Sequence, residues 1–158
     1  ASGRARYTLA MRIAVGSDHA GYALKTAVAE HLAAAGHDVV DLGTDSAEAS
    51  VDYPDFGAAV GRAVAGGDAE AGVCVCGSGI GISIAANKIP GVRAALVHDV
   101  TTAALSRRHN DANVVCLGER TTGRQVALDA VDAFFTTDYE GGRHQRRLDE
   151  IAGLEAER

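Results

Sequence analysis

The chain has few aromatic residues, with no tryptophan, three phenylalanines and four tyrosines among 158 residues. Its core must therefore be built from small aliphatic side chains, and few rings are available to stack on a flavin or a nicotinamide. No apolar run reaches the roughly 18 residues that a membrane-spanning helix requires. No signal-peptide core is found either. These absences argue against a flavin- or NAD-binding module and predict a cytoplasmic protein.

Cysteine is also scarce, and its spacing is uninformative for disulfides or zinc. The three cysteines stand at positions 74, 76 and 116, and the sequence has no CxxC, no HExxH and no zinc-spaced histidine/cysteine cluster. An odd number of unpaired cysteines is typical of a protein in a reducing compartment. We expect no disulfide framework, no metal site and no cofactor.

Lysine is rare, because only Lys25 and Lys88 among the 15 basic residues are not arginine. The net charge of −6 excludes non-specific binding to nucleic acid, since a polyanion would be repelled. Arginine suits bidentate contacts with phosphate and carboxylate, so a local anion site is one interpretation. A bias of the genome toward arginine codons is the other, and composition alone leaves both open.

The remaining composition, 47% hydrophobic and 23% charged, is that of a globular domain. Residues 1–10 precede the only methionine, Met11. They are predicted to be an extension, disordered or introduced during cloning, ahead of a single domain over 11–158. Apolar runs predict strands at 12–16, 37–42, 71–76, 92–97 and 114–117. Helical patterns fill the intervals between them, at 20–35, 54–65, 82–88, 101–108, 122–135 and 143–157. This alternation predicts a parallel sheet with helices on both faces.

In such folds, ligands bind beyond the carboxyl ends of the strands. Asp18 and His19 follow the first predicted strand, and a glycine loop at 77–81 follows the third. Glycines at alternate positions allow close backbone approach and can direct N–H groups at an anion. The loop fits neither the dinucleotide fingerprint, whose third glycine would fall at Ile82, nor a P-loop.

Cys76 occupies the last position of the third strand and faces the start of a helix, where a thiolate is stabilised by the helix dipole and free N–H groups. It is either a base or nucleophile, or a small buried hydrophobic residue. Asp18 and His19 are either catalytic or binding residues, or residues that cap a loop. His109 is either a catalytic residue or a side chain stabilised by the negative end of a helix dipole. Arg143 and Arg147, one helical turn apart, form either a phosphate clamp or a solvated face.

Taken together, several stretches resemble the ribose-5-phosphate isomerase B family, whose relatives include galactose-6-phosphate isomerase subunits. The resemblance runs in order from about residue 12 to residue 151. The matching stretches are GSDHAGYALK (16–25), SVDYPDF (50–56), CGSGIGISIAANK (76–88), LSRRHNDANVVCLG (105–118) and YEGGRHQRRLDEI (139–151).

The resemblance implies a three-layer α/β/α, flavodoxin-like (Rossmann-like) fold with strand order 2-1-3-4-5. It also implies a homodimer or dimer of dimers, in which each active site draws residues from two subunits. The expected reaction is the metal-free interconversion of ribose 5-phosphate and ribulose 5-phosphate through an enediolate. An isomerase of another sugar phosphate, such as allose or galactose 6-phosphate or a tetrulose phosphate, and a non-catalytic sugar-phosphate sensor are the alternatives.

Site roles follow from the same resemblance, position by position. Cys76 would move a proton between C2 and C1, and His109, with Asp18 nearby, would open the furanose ring. One branch of the family uses a glutamate where this chain has Ile82, so only the cysteine route is available here. The developing oxyanion would be held by Ser78 and the N–H groups of Gly77, Gly79, Ile80 and Gly81. Sugar hydroxyls would contact Tyr53 and Asn110, and the phosphate would bind His19, Arg120, Arg143 and Arg147.

Overall fold

The computed structural model describes residues 9–158, in which strands and helices alternate as far as the fifth strand and its helix, and a further helix follows. All the predicted elements are present, with ends that differ by at most a few residues. Most of the predicted extension lies in residues 1–8, outside the described part of the chain. The strands are β1 (Arg12–Ser17), β2 (Asp38–Asp41), β3 (Ala71–Cys76), β4 (Ala94–Leu96) and β5 (Val114–Gly118). The helices are α1 (Tyr22–Ala34), α2 (Tyr53–Ala65), α3 (Ile80–Asn87), α4 (Val100–Asn110), α5 (Arg124–Thr136) and α6 (Arg143–Glu155).

The five strands form one sheet in which every neighbouring pair is parallel. Helices α1, α4 and α5 cover one face, where Leu32, Phe134 and Phe135 are buried in one apolar cluster with residues of β1, β3 and β5. Helices α2 and α3 cover the other face around Val60 and Ile82. The predicted three-layer arrangement is therefore confirmed. None of the helices within residues 9–158 is both long and apolar enough to cross a membrane.

The predicted strand order 2-1-3-4-5 is wrong in its last two positions. The order is 2-1-3-5-4, because β5 pairs with β3 on one side and with β4 on the other. Burial explains this exchange. All five residues of β5 are buried, as a strand inside a sheet requires, whereas β4 has only three residues and all are half-exposed. The chain therefore places its most apolar late strand inside and its short one at the edge.

Helix placement agrees with this order. When all crossovers have the same hand, connections that run across the sheet in opposite directions place their helices on opposite faces. The return from β4 to β5 carries α4 to the face of α5, and the outward connection from β3 to β4 leaves α3 beside α2. In the predicted order, α4 would have shared a face with α2 and α3.

Local sequence fixes the helix ends nearest the strand ends. Pro54 lies in the first turn of α2, where its missing N–H has no intrahelical partner to lose. Asp99 caps α4 by accepting from the N–H of Thr102 at 2.7 Å, and Thr102 completes a capping box. These caps begin each helix directly after a loop at the carboxyl edge of the sheet.

Candidate active site

The loop after β1 holds Asp18 in a buried turn. Asp18 is 5% exposed, and its Oδ1 accepts a hydrogen bond from the N–H of Gly21 at 3.0 Å, which caps a short 3₁₀ turn over His19–Gly21. A Cβ on Gly21 would lie 2.5 Å from the carbonyl oxygen of Val75, so only glycine allows this turn to pack on β3. Both predicted residues of the loop therefore sit beside the end of β3.

His19 has a defined tautomer in its neutral form. Its Nδ1 accepts from the backbone N–H of Val51 at 3.1 Å, which assigns the ring proton to Nε2. The segment that carries Val51 is itself anchored, because the buried Lys25 donates to Asp41 at 2.6 Å and to the carbonyl of Thr44 at 3.1 Å. His19 thus offers a positioned N–H donor to an anion.

Cys76 ends β3 with its thiol directed at the start of α3. The residue is 4% exposed, and its Sγ accepts from the N–H of Gly79 at 3.2 Å. Gly79 has a φ of +76°, and a Cβ there would lie 2.8 Å from the backbone of Leu117. The glycine loop is therefore shaped so that a backbone donor meets the sulfur, an interaction that strengthens when the sulfur becomes a thiolate.

Further backbone donors lie in the same loop. The N–H of Ile80 is taken by Ser78 Oγ at 3.2 Å, whereas those of Ser78 and Gly81 donate to no acceptor within residues 9–158. Donors at the N-terminus of a helix favour negative charge. The loop can therefore hold an oxyanion beside the Cys76 sulfur.

Two side chains from other elements complete the walls of this site. A Cβ built on Gly81 would lie 2.4 Å from the ring of Tyr53, so that ring lies directly over the glycine. A Cβ built on Gly77 would lie 3.4 Å from Arg120 Nη1, so the Arg120 guanidinium lies over the glycine loop. Backbone bonds from Arg120 to Gly77 and from Glu119 to Cys76, at 2.9 and 3.0 Å, hold the two loops together.

These residues line one cleft of about 650 Å³ at the carboxyl edge of the sheet. Of the site residues predicted from sequence, the cleft is lined by Asp18, His19, Tyr53, Cys76, Gly77, Ser78, Ile80, Gly81 and Arg120. Gly79 is buried behind them. Three lining residues were not predicted, namely Ala20, Ile84 and Thr121. The signal for Ile84 was its position four residues after Ile80, which puts both exposed isoleucines on one face of α3.

The other two cysteines lie below the cleft, inside the sheet. Cys74 and Cys116 are directly opposite each other on β3 and β5, and neither is exposed. Hydrogen bonding to Cys74, together with burial, raises the pKa of the Cys116 thiol well above its ordinary value of 9.0. Cys116 therefore stays protonated, and only Cys76 among the three lines the cleft.

The remaining predicted residues, His109, Asn110, Arg143 and Arg147, do not line this cleft. His109 lies in the last turn of α4 and stacks on His144 of α6, with ring centroids 4.4 Å apart. Asn110 lines a separate cavity with Leu148 and Ile151. Arg143 and Arg147 are exposed on α6. The predicted site residues therefore form two groups within one chain.

A cysteine beside backbone oxyanion donors, with a histidine and an arginine at the same strand ends, defines the class of protein. It is an α/β enzyme whose cleft is suited to an anionic substrate and to proton transfer. The family model described as Ribose/Galactose Isomerase matches residues 13–151. The chain belongs to this family.

Relatives match the chain over nearly their whole length. Ribose-5-phosphate isomerase B of Escherichia coli K12 is 46% identical over 93% of this chain and 98% of its own. The Clostridium thermocellum ribose-5-phosphate isomerase B structure is 49% identical, covers 93% of this chain and 99% of its own, and has a TM-score of 0.91. The Mycoplasma genitalium structure, solved with bound ribulose 5-phosphate, is 44% identical, with 93% and 97% coverage and a TM-score of 0.89.

Proposed function

We propose that the chain is an aldose–ketose isomerase that interconverts ribose 5-phosphate and ribulose 5-phosphate. The observation that carries this proposal is the Cys76 thiol at the end of β3, 3.2 Å from the Gly79 nitrogen and beside the N–H groups of Ser78 and Gly81, which have no acceptor within residues 9–158. The relatives named as ribose-5-phosphate isomerase B support this choice of substrate. The reaction belongs to pentose phosphate metabolism.

In the proposed mechanism, the Cys76 thiolate takes the proton from C2 of the open-chain aldose. The electron pair moves onto the C1 carbonyl oxygen and gives an enediolate. A proton then moves from the O2 hydroxyl to O1, and the Cys76 thiol returns its proton to C1, so the product is the ketose and no atom is gained or lost. The step requires no redox partner. A positioned base contributes about 10²–10⁴-fold to such a reaction.

The glycine loop stabilises the charge that develops during this transfer. Ser78 and loop 77–81 would surround the enediolate oxygens, with the N–H groups of Ser78 and Gly81 as donors that have no acceptor within residues 9–158. Each oxyanion donor of this kind contributes about 10²–10³-fold in rate. The phosphate would bind His19 Nε2–H and Arg120, which line the same cleft. Remote binding energy of this kind positions the reacting carbons.

We propose that His109, Asn110, Arg143 and Arg147 act on the cleft of a second copy, in a homodimer or a dimer of dimers. Two features support this arrangement. All four lie outside the cleft of their own chain, although the family resemblance assigns them to ring opening, sugar binding and phosphate binding. Ile80 and Ile84, at the edge of the cleft, are 53% and 56% exposed, which suits burial against a partner.

Two smaller proposals concern the chain outside the site. We propose that residues 11–158 form a single isomerase domain and that residues 1–10 are an extension ahead of it. Three free cysteines, with the catalytic one as a thiol, suit a reducing compartment such as the cytoplasm.

The substrate is tested by assaying the purified protein against ribose 5-phosphate, allose 6-phosphate, galactose 6-phosphate and erythrose 4-phosphate. We expect the highest kcat/KM with ribose 5-phosphate. Turnover of a hexose phosphate without turnover of ribose 5-phosphate would assign the chain to another isomerase of the family. Binding of ribose 5-phosphate without turnover of any sugar would instead indicate a sensor.

A further inference from the structure

Three potential metal ligands meet where the end of α4 contacts the start of α6. His109, Glu140 and His144 each offer one ligand atom, and these atoms all lie within 4.8 Å of one another. The segment before α6 is tied to α4, because the N–H of Glu140 donates to the carbonyl of Arg108 at 3.1 Å. We call this group the His109 cluster.

The buried member of the cluster has an unsatisfied ring nitrogen. The His144 side chain is 7% exposed, and its Nε2 makes no hydrogen bond within residues 9–158. A buried polar atom without a partner is uncommon and calls for an explanation. The Glu140 carboxylate lies 3.4 Å from Nε2, which is ion-pair distance for a protonated ring without the geometry of a hydrogen bond, and it is near enough to share a cation with it.

The donor set is one that zinc uses in proteins. Two imidazole nitrogens and one carboxylate oxygen form a His₂Glu set, which leaves a fourth position for water. Zinc bonds of 2.0–2.1 Å require tetrahedral ligand atoms about 3.3 Å apart, so ligand atoms that are now up to 4.8 Å apart must move closer together. Its two outer members can move, because the Glu140 side chain is 49% exposed and His109 is only half-buried.

We propose that the His109 cluster is an inhibitory site for a zinc-class divalent cation. The binding part of this inference stands on the cluster alone, whereas the inhibitory part rests on the proposed role of His109 in ring opening. To bind the metal, the His109 ring must move out of its stack on His144 and coordinate the ion through one ring nitrogen. A ring nitrogen that coordinates a metal cannot exchange a proton with the sugar.

The binding test uses the full chain, stripped with EDTA and titrated with zinc chloride in competition with a chromophoric chelator. We expect one zinc per chain and at least about tenfold weaker binding in Glu140→Gln. Glu150→Gln, an exposed glutamate of α6 outside the cluster, is the control and should bind as tightly as the wild type. Equal affinities in the wild type and Glu140→Gln would overturn the proposal.

The activity test separates inhibition from the proposed function. Zinc should inhibit ribose 5-phosphate isomerisation by the wild type and by Glu150→Gln. The same inhibition of Glu140→Gln should require a zinc concentration about tenfold higher. Equal inhibition of all three would place the metal elsewhere, with Cys76 the obvious ligand, and would overturn the inhibitory role. Absence of isomerisation in metal-free wild type would refute the proposed function and leave the binding result unaffected.

Discussion

At the scale of single residues, the strand-end cleft follows from local sequence, whereas its relation to His109 and the arginines of α6 does not. Asp18 and the glycine loop directly follow buried strands and Cys76 is the last residue of one, so the rule that ligands bind beyond the carboxyl ends of strands is enough to group them. The position of His109 depends on how α4 and α6 pack, and no spacing in the sequence encodes that contact. The same limit hid the cluster of His109 with Glu140 and His144.

The arginine clamp gives a prediction at this scale. Arg143→Ala should raise KM for ribose 5-phosphate by about 10–100-fold, because a charge-assisted hydrogen bond contributes about 1.5–3 kcal/mol. The effect on unphosphorylated ribose should be small. Steady-state kinetics with both sugars measure the difference, and Arg146→Ala, an exposed neighbour outside the proposed site, is the control. Equal changes for both sugars would mean that Arg143 does not bind phosphate.

At the scale of elements, the sequence predicted which segments are strands but not which strands are neighbours. Strict alternation of strands and helices is compatible with both 2-1-3-4-5 and 2-1-3-5-4. The distinguishing signal was weak: the predicted strand 92–97 contains Arg93, whereas 114–117 is wholly apolar. A charged residue favours the edge and a continuous apolar run favours the interior.

The turn between β3 and α3 can be tested with a pair of glycine substitutions. Gly79→Ala should lower the free energy of unfolding by more than about 1 kcal/mol, because φ is +76° and the added Cβ meets Leu96 and Leu117. Gly153→Ala, inside α6, adds a Cβ that meets nothing within 4 Å among residues 9–158 beyond its own helix backbone and chain neighbours, and should raise the free energy of unfolding by about 0.5–1 kcal/mol. Urea denaturation measures both, and a neutral Gly79→Ala would contradict the packing described for this loop.

At the scale of the whole molecule, stability should depend on pH through His37. Burial lowers the pKa of His37 below 6.5, partly opposed by Glu70, while its Nδ1 accepts from the N–H of Met11 at 3.1 Å. The unfolded chain therefore takes up the proton first as pH falls. The stabilising contribution is complete above pH 6.5 and declines as pH falls below it toward the folded pKa.

His37→Asn isolates this contribution, since the Asn oxygen can still accept from Met11 while the titrating ring is gone. The free energy of unfolding, measured by urea titration above and below pH 6.5, should fall less steeply with decreasing pH in the variant than in the wild type. Identical slopes would show that His37 does not titrate differently in the two states.

The proposed sharing of sites between two copies is also a property of the whole molecule. Cys76→Ala and His109→Asn chains, coexpressed with different tags and purified as the hybrid, should recover about half of wild-type activity, because one of the two sites regains both residues. Each variant alone should be inactive with ribose 5-phosphate. An inactive hybrid would show that each chain uses its own His109.

The central claim, that Cys76 carries the proton, is tested most directly by kcat for ribose 5-phosphate in Cys76→Ala, with Cys74→Ala as the control. Both cysteines lie buried on the same face of β3, but only Cys76 lines the cleft. We expect Cys76→Ala to fold normally and to lose at least about 10²-fold in kcat. Cys74→Ala should retain kcat within a few-fold. Wild-type kcat in Cys76→Ala would contradict the account.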